Sequence, residues 1–446
     1  MKRNLFFVTA SVLALSATAA MADSNTVVLN QADTSHHATI EQFNSGNNVG
    51  SYSGWSGFDQ NNNGGLVGGN QLTVTQAGYN NSVGRDAKGY QYGAGNSAVI
   101  SQAGNGSDVE LQQKGENNGS VPAGWDWTND PGIFNKITQD STSTGSKVSV
   151  VQDGSNNVFS IKQGNTSNST SVTQTGAWGL AYVRQGIGVA EQDKATANWL
   201  PTGGNSNVAT ISQASSGVNY AVAVQGGGNS NSLSIGQTGA LHGANAWQIG
   251  STNTFSSIQT GTGNTAGLSG GIYGADDPIK QIGNSNSYVS TQSGSYNTAN
   301  GSQTGDLNYV TNVQTGSHGA IAGTQNGYYN SVDSVQSGSY NTLKYAQTNV
   351  SGSSWNQIVN SQTGAGTVLA ANLADIKQDG YGLYSNGVQS GGDGNSATVS
   401  QVGTYHISYY TQTGSSNVLG VTQTGSGNHS NVHQVGTGNS ASVIQH

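Results

Sequence analysis

The chain contains no cysteine, so neither disulfides nor thiolate-bound metal can hold it together. Charge is scarce as well. Only 8% of residues are charged, the formal net charge is −8, and no basic cluster occurs, which argues against nucleic acid and anionic membrane surfaces as partners. Hydrophobic residues make up 33% of the chain and prolines number 4. A large oily core cannot be built from this composition, which taken alone suits a disordered chain. Beyond the N-terminus no apolar run approaches the ~20 residues of a membrane-spanning helix. Helix is disfavoured throughout, because 67 glycines are joined by abundant Asn, Ser and Thr.

What the chain does have is periodic glutamine. Gln281, Gln292, Gln303, Gln314, Gln325, Gln336 and Gln347 stand eleven residues apart, and the spacing returns at Gln401, Gln412, Gln423, Gln434 and Gln445. Glycine follows two residues after most of them, at Gly294, Gly305, Gly338, Gly414, Gly425 and Gly436 among others, and an Asn commonly precedes the Gln by six. The unit is Asn-x5-Gln-x-Gly-x2, and a fixed period of this kind signals a repeat architecture. Stacked identical side chains can satisfy one another across strands even when polar, so the period restores the order that composition denies.

Side chains alternate along a strand, so the second and fourth places after Asn share its side. Those places are often apolar: Phe159 and Ile161, Ala209 and Ile211, Leu233 and Ile235, Ala397 and Val399, Leu419 and Val421, Ala441 and Val443. Charges fall on the other face, with Glu41, Lys162, Arg184, Lys280 and Lys377 directly before the Gln, and Asp333 and Lys344 at the third place. A buried unpaired charge is costly, so this partition supports the assignment. Glycine supplies the reversal at the turn, and Asn at its exit tolerates similar backbone geometry. Two strand-turn units make one 22-residue coil. The expected fold is all-β: a β-solenoid of about sixteen two-strand coils, roughly 75–80 Å long, with cross-β stacking end to end. The residues expected to form its inward ladders are Gln292, Gln303, Gln314, Gln336, Gln401, Gln412, Gln423, Gln434 and Gln445, with Asn286, Asn297, Asn308, Asn330, Asn341, Asn395, Asn417, Asn428 and Asn439.

Breaks in the register mark insertions at 51–69, 116–132, 193–204 and 262–278, and tryptophans at 55, 125, 127 and 199 fall in them. Gln213, Gln225 and Gln237 are spaced by twelve, which reads as one extra turn residue. Residues 1–22 read as a secretory signal, with Lys2 and Arg3, an apolar run from Leu5 to Leu15, and Ala20-Met21-Ala22 before Asp23. The solenoid is then expected to occupy 23–446 of an exported protein.

The two-sided motif resembles the curlin repeat of bacterial curli fibre subunits. Asn395-Ser396-Ala397 leading to Gln401 carries it, as do Asn439-Ser440-Ala441 leading to Gln445 and the run Gln423-Thr424-Gly425-Ser426-Gly427-Asn428. Gln292-Ser293-Gly294-Ser295-Tyr296-Asn297-Thr298-Ala299 leading to Gln303 carries all of it. The resemblance implies a functional amyloid, secreted unfolded by a Gram-negative cell through a curli-type channel, met by a nucleator, and polymerising with itself into extracellular fibres of the biofilm matrix. Known curlins are shorter, at about five coils, and lack long tryptophan-bearing insertions. Independently of the resemblance, the first hexad at Asn25 and the last at Gln445 leave no visible cap, and an uncapped solenoid is expected to add copies head to tail. The alternatives are a monomeric solenoid adhesin with a regular outward array, and a nucleator or minor component of the fibre.

Catalysis has little footing. Gly267-Leu268-Ser269-Gly270-Gly271 spells a nucleophile elbow, but so Gly- and Ser-rich a chain produces about one such string by chance. The eight histidines are scattered and are expected on the solvated surface, with His429 and His433 too far apart along a strand to share a metal. No cofactor is expected. Asp140, Asp153 and Asp379 in turns read as solubility or gatekeeper residues.

Overall fold

The computed structural model describes residues 25–32, 35–50, 57–61, 69–84, 89–119, 135–187, 202–269, 275–276, 278–349 and 354–446. Every regular element among them is a β-strand. The strands run parallel in two stacked sheets, with consecutive strands alternating between the two, as a solenoid requires.

The first sheet comprises 19 strands. Three of its rungs are split, as 26–27 with 29–32, 48–49 with 58–61, and 82–83 with 90–92. In the second sheet one rung is split: 242–249 pairs with both 265–266 and 279–282, and both of those pair with 298–304. Counting each split rung once gives about sixteen coils, stacked ~4.8 Å apart.

Register holds through every irregularity. Gln213, Gln237 and Gln259 stay opposite one another in the first sheet, and Gln185, Gln225 and Gln248 in the second, so the twelve-residue spacings are absorbed in the turns between strands. The interruptions are narrower than the sequence suggests. Phe58–Asn61 is a strand, with Phe58 fully buried, and Thr265–Ala266 is a strand with Ala266 in the core. Leu268–Ser269 pairs antiparallel with Ala275–Asp276, so the last interruption leaves its rung after Ala266. These segments keep a core residue in phase with the coil before them, and burial holds them in the ladder. The signal segment and the tryptophans at 55, 125, 127 and 199 lie outside the described residues.

One continuous apolar cluster fills the space between the sheets. Phe159 and Ile161, Ala209 and Ile211, Leu233 and Ile235, Ala397 and Val399, and Leu419 and Val421 all lie in it, while Ala441 and Val443 in the last coil are partly buried. No Asp, Glu, Lys or Arg among the described residues is buried. From strand 287–295 toward the C-terminal coils the core changes character. Tyr288, Tyr345 and Tyr410 are buried, with Asn312 donating to the Tyr288 hydroxyl at 3.0 Å and the Tyr410 hydroxyl donating to Asn360 Oδ1 at 3.2 Å. Their rings occupy room left by inward glycines: a Cβ at Gly323 would meet Tyr345 Cγ at 2.4 Å, and one at Gly387 would meet Tyr410 Cζ at 2.0 Å. Burial pushes all three phenol pKa values up.

Turn geometry differs from expectation in one respect. The turn glycines Gly294, Gly305, Gly338, Gly414, Gly425 and Gly436 have φ between 95 and 110°. The second left-handed residue is the one before the ladder Asn, and it is often bulky: Tyr296 (φ 56°), Leu307 (58°), Tyr329 (54°) and Tyr340 (52°). Such a backbone costs about 1 kcal/mol or more per residue. Stacking offsets part of it on one edge, where the rings of Tyr296, His318 and Tyr340 follow one another at 5.4 and 4.6 Å.

Candidate functional site: the amide ladders

A glutamine closes every rung. In the first sheet an unbroken column runs from Gln31 to Gln434, and in the second another runs from Gln42 to Gln445. Within each column every Nε2 but that of the last glutamine donates to Oε1 of the glutamine one coil further on, at 2.7 to 3.1 Å. The second proton of the same nitrogen goes to a backbone carbonyl at the start of a strand in the facing sheet, as in Gln303 to Ser287 (2.9 Å), Gln314 to Thr298 (3.2 Å) and Gln401 to Tyr384 (3.0 Å).

This second bond fixes which end of each amide is nitrogen, because only an N–H can face a carbonyl. Both columns are therefore polar in the same sense, with donors toward the C-terminal coil and acceptors toward the N-terminal one. Gln292, Gln303, Gln314, Gln336, Gln401, Gln412 and Gln423 are fully or almost fully buried in this arrangement. Gln434 is nearly so, and Gln445, in the last coil, is part-exposed.

Asparagine works differently. Its Oδ1 accepts the backbone N–H of the equivalent residue in the following coil, as Asn286 does from Asn308 (3.1 Å) and Asn417 from Asn439 (3.1 Å). Its Nδ2 reaches the turn-glycine carbonyl of the next coil, as in Asn286 to Gly305 (2.7 Å), Asn297 to Gly316 (2.9 Å), Asn308 to Gly327 (2.9 Å) and Asn395 to Gly414 (2.7 Å). Asn341 reaches Gly364 at 3.1 Å, Asn330 donates to Asn308 Oδ1 at 2.9 Å, and Asn428 donates to Thr424 O at 2.7 Å. Backbone groups that a turn would leave unpaired are thereby satisfied by side chains. A Cβ at Gly294, Gly305 or Gly414 would lie 2.1 Å from the glycine carbonyl of the next coil, which is why no larger residue fits there.

The asparagine ladder tolerates substitutes where the glutamine ladder does not. Ser107, Gly179, Gly319 and Leu383 take the place, and each still donates its backbone N–H to the preceding Asn Oδ1. Three histidines take it too, and this corrects the surface reading of the histidines. His242 and His406 are fully buried, and His36 is half-buried. In each, Nδ1 accepts the N–H of the next coil's Asn, from Asn70 (3.2 Å), Asn264 (3.3 Å) and Asn428 (3.2 Å). In each, Nε2 lies 2.6 to 3.1 Å from the carbonyl four residues back, at Ala32, Thr238 or Val402. The neutral ring protonated on Nε2 is the one form that makes both bonds. The sequence carried this signal, since each histidine precedes a Gln by six.

Burial pushes the pKa of His242 below its ordinary 6.5, outweighing the backbone carbonyls that raise it. The unfolded chain then takes up a proton more readily than the folded one. The stability this site contributes is complete above the unfolded value near 6.5 and declines as pH falls toward the lower folded value. His242→Asn should flatten the loss of thermal stability as pH falls below about 6.5 relative to wild type. Parallel slopes for the two chains would contradict the assignment.

The described residues include no group of three or more potential metal-ligating side chains. Ser269 lies in a short antiparallel pair, and Gly270 and Gly271 lie outside the described residues. Asp153 pairs with Lys114 at 3.3 Å on the surface, and Asp140 accepts the N–H of Thr142 in its own turn at 2.9 Å.

The curlin associated repeat matches the chain three times, over residues 90–115, 370–403 and 392–425. The latter two matches overlap and span the consecutive strands 372–381, 384–390, 396–404, 407–415 and 418–426. The chain thus carries curlin repeats, a repeat of structural rather than enzymatic proteins. No curated protein matches it.

Proposed function

We propose that the chain is a structural subunit of extracellular curli-type amyloid fibres, serving biofilm matrix and surface attachment in a Gram-negative bacterium. The observation that carries this reading is the polarity of the glutamine columns, taken together with the curlin repeats. Each coil offers glutamine amide donors on its C-terminal edge and the matching acceptors on its N-terminal edge, and both edges carry alternating strand N–H and C=O groups in the register the next coil requires. A coil of another copy meets the same edge as a coil of the same chain, so an exposed coil acts as a template on which an incoming chain folds.

Residues 1–22 serve as the export signal in this reading, and a curli-type channel and nucleator are the partners implied. The ladder residues, Gln292 to Gln445 with their asparagines, are the working parts, and the turn glycines keep the coils close enough for them to bond.

Immunogold labelling of cells producing the protein tests the reading. Label along extracellular fibres is the expected result. Label confined to fibre tips or bases would instead assign a nucleating role, and label only on a soluble secreted fraction would favour the adhesin.

A further inference from the structure

The two outward faces of the solenoid are chemically unlike. From strand 169–177 to strand 429–437 the outward positions of the first sheet carry one carboxylate, Asp333, and no Lys or Arg. Small hydroxyl side chains dominate the earlier half, for example Thr173, Thr210, Ser212, Ser234, Thr238 and Thr260. Val208 and Ile258, which are 43% and 50% exposed, lie among them on the same face. Over the same coils the second sheet turns Arg184, Lys280, Lys344, Asp375, Lys377 and Asp379 outward. Its face is also not free at the level of 219–249, where the outward-pointing Val222, Val224 and Trp247 are buried. Asp306 and Asp393 lie in turns, off both faces.

We infer that the outward face of the first sheet is a lateral pairing surface, and that its occupant is the same face of a second copy of this chain. Three considerations converge on a self-partner. The face is charge-poor, so copies can approach without stranding a charge, whereas closing two second-sheet faces would bury four cations and two carboxylates from each copy. Ser and Thr are short and lose little side-chain freedom on burial, so two such faces can close into a dry, interdigitated contact at roughly the 10 Å spacing of stacked sheets. The area also suffices. About eleven rungs at ~4.8 Å, each ~20 Å wide, give on the order of 1,000 Å² per partner, above the ~800 Å² of a standard stable interface. Fibres of this chain then consist of two protofilaments joined through their first sheets, with the charged second sheets outside.

This inference extends the fibre reading without depending on it. Its test is a variant carrying Ser212→Lys, Ser293→Lys and Thr363→Lys, all exposed and on separate rungs. The control carries Thr324→Lys, Thr398→Lys and Ile444→Lys on the second face. In electron micrographs, wild type and control should form paired filaments, and the first-face variant single filaments of about half the width with the same cross-β spacing. Single filaments in wild type, or pairing that survives the first-face lysines, overturns the inference. If no chain forms fibres the fibre reading fails by itself. Sedimentation of the folded solenoid then decides the pairing, with dimer in wild type and monomer in the first-face variant expected, and equal mass for the two overturning it.

Discussion

Gln303→Lys should unfold the middle of the solenoid, with a loss of at least about 5 kcal/mol, because it strands an unpaired charge in a fully buried site and orphans two amides at once. Gln303 accepts from Gln281 at 2.9 Å, donates to Gln325 at 2.8 Å and donates to the Ser287 carbonyl at 2.9 Å, and it is fully buried. Lysine can replace none of the acceptor function, and its ammonium has no carboxylate within the ladder to meet. The neighbouring Ser302 points outward on the same strand. Ser302→Lys should therefore change stability by no more than about 0.5 kcal/mol. Chemical denaturation followed by far-UV circular dichroism compares the two. Similar midpoints for both variants would show that the inward register is misassigned, since a shift of one residue exchanges core and solvent.

The second large effect concerns the turn glycines and separates folding from assembly. Gly305→Ala places a Cβ 2.1 Å from the Gly327 carbonyl on a backbone at φ 104°. The coils must part to admit it, and a loss of about 3–5 kcal/mol is expected, since a backbone hydrogen-bonded to the coils on both sides cannot shift to relieve the overlap. Gly436 has φ 109°, but in the last coil no following turn covers it, and the nearest atom to an added Cβ is Asn439 Nδ2 at 3.7 Å. Gly436→Ala should thus cost the folded chain only the left-handed backbone penalty, about 1–2 kcal/mol. In a stacked fibre the same position gains the neighbour that Gly305 already has. Growth from seeds should then fall steeply for Gly436→Ala while its monomer melt barely moves. Elongation at the wild-type rate would mean that this coil is not the one joined in the fibre.

Much of this was legible in the glutamine spacing, because the ladder bond demands one amide at one place on every coil, and selection for that leaves a period. The inward aliphatics were legible for the same reason, as at Ala397 and Val399. The histidines were legible by position, six before a Gln, but not by residue type, since His242 shares no side-chain class with Asn. What the place requires is only an acceptor for the next backbone N–H, and Nδ1 supplies it. The bulky left-handed residues leave no sequence signal, because Leu307 and Tyr329 contradict local backbone preference and are held there by the coils on either side. Phe58 and Ala266 sit inside stretches that break the period, and only pairing with neighbouring coils places them in the core. The tyrosine and glycine pairs, such as Tyr345 over Gly323, lie one regular coil apart but depend on how two side chains pack, which the period does not record.

The central claim is that one coil's edge serves as the template for another copy. The most direct measurement dilutes residues 23–446 from denaturant and follows thioflavin fluorescence, electron microscopy and fibre diffraction together. The account predicts unbranched fibres with a reflection near ~4.7 Å along the axis and one near ~10 Å across it. A β-rich chain that folds, stays monomeric at high concentration and never fibrillises, even with seeds, would contradict it.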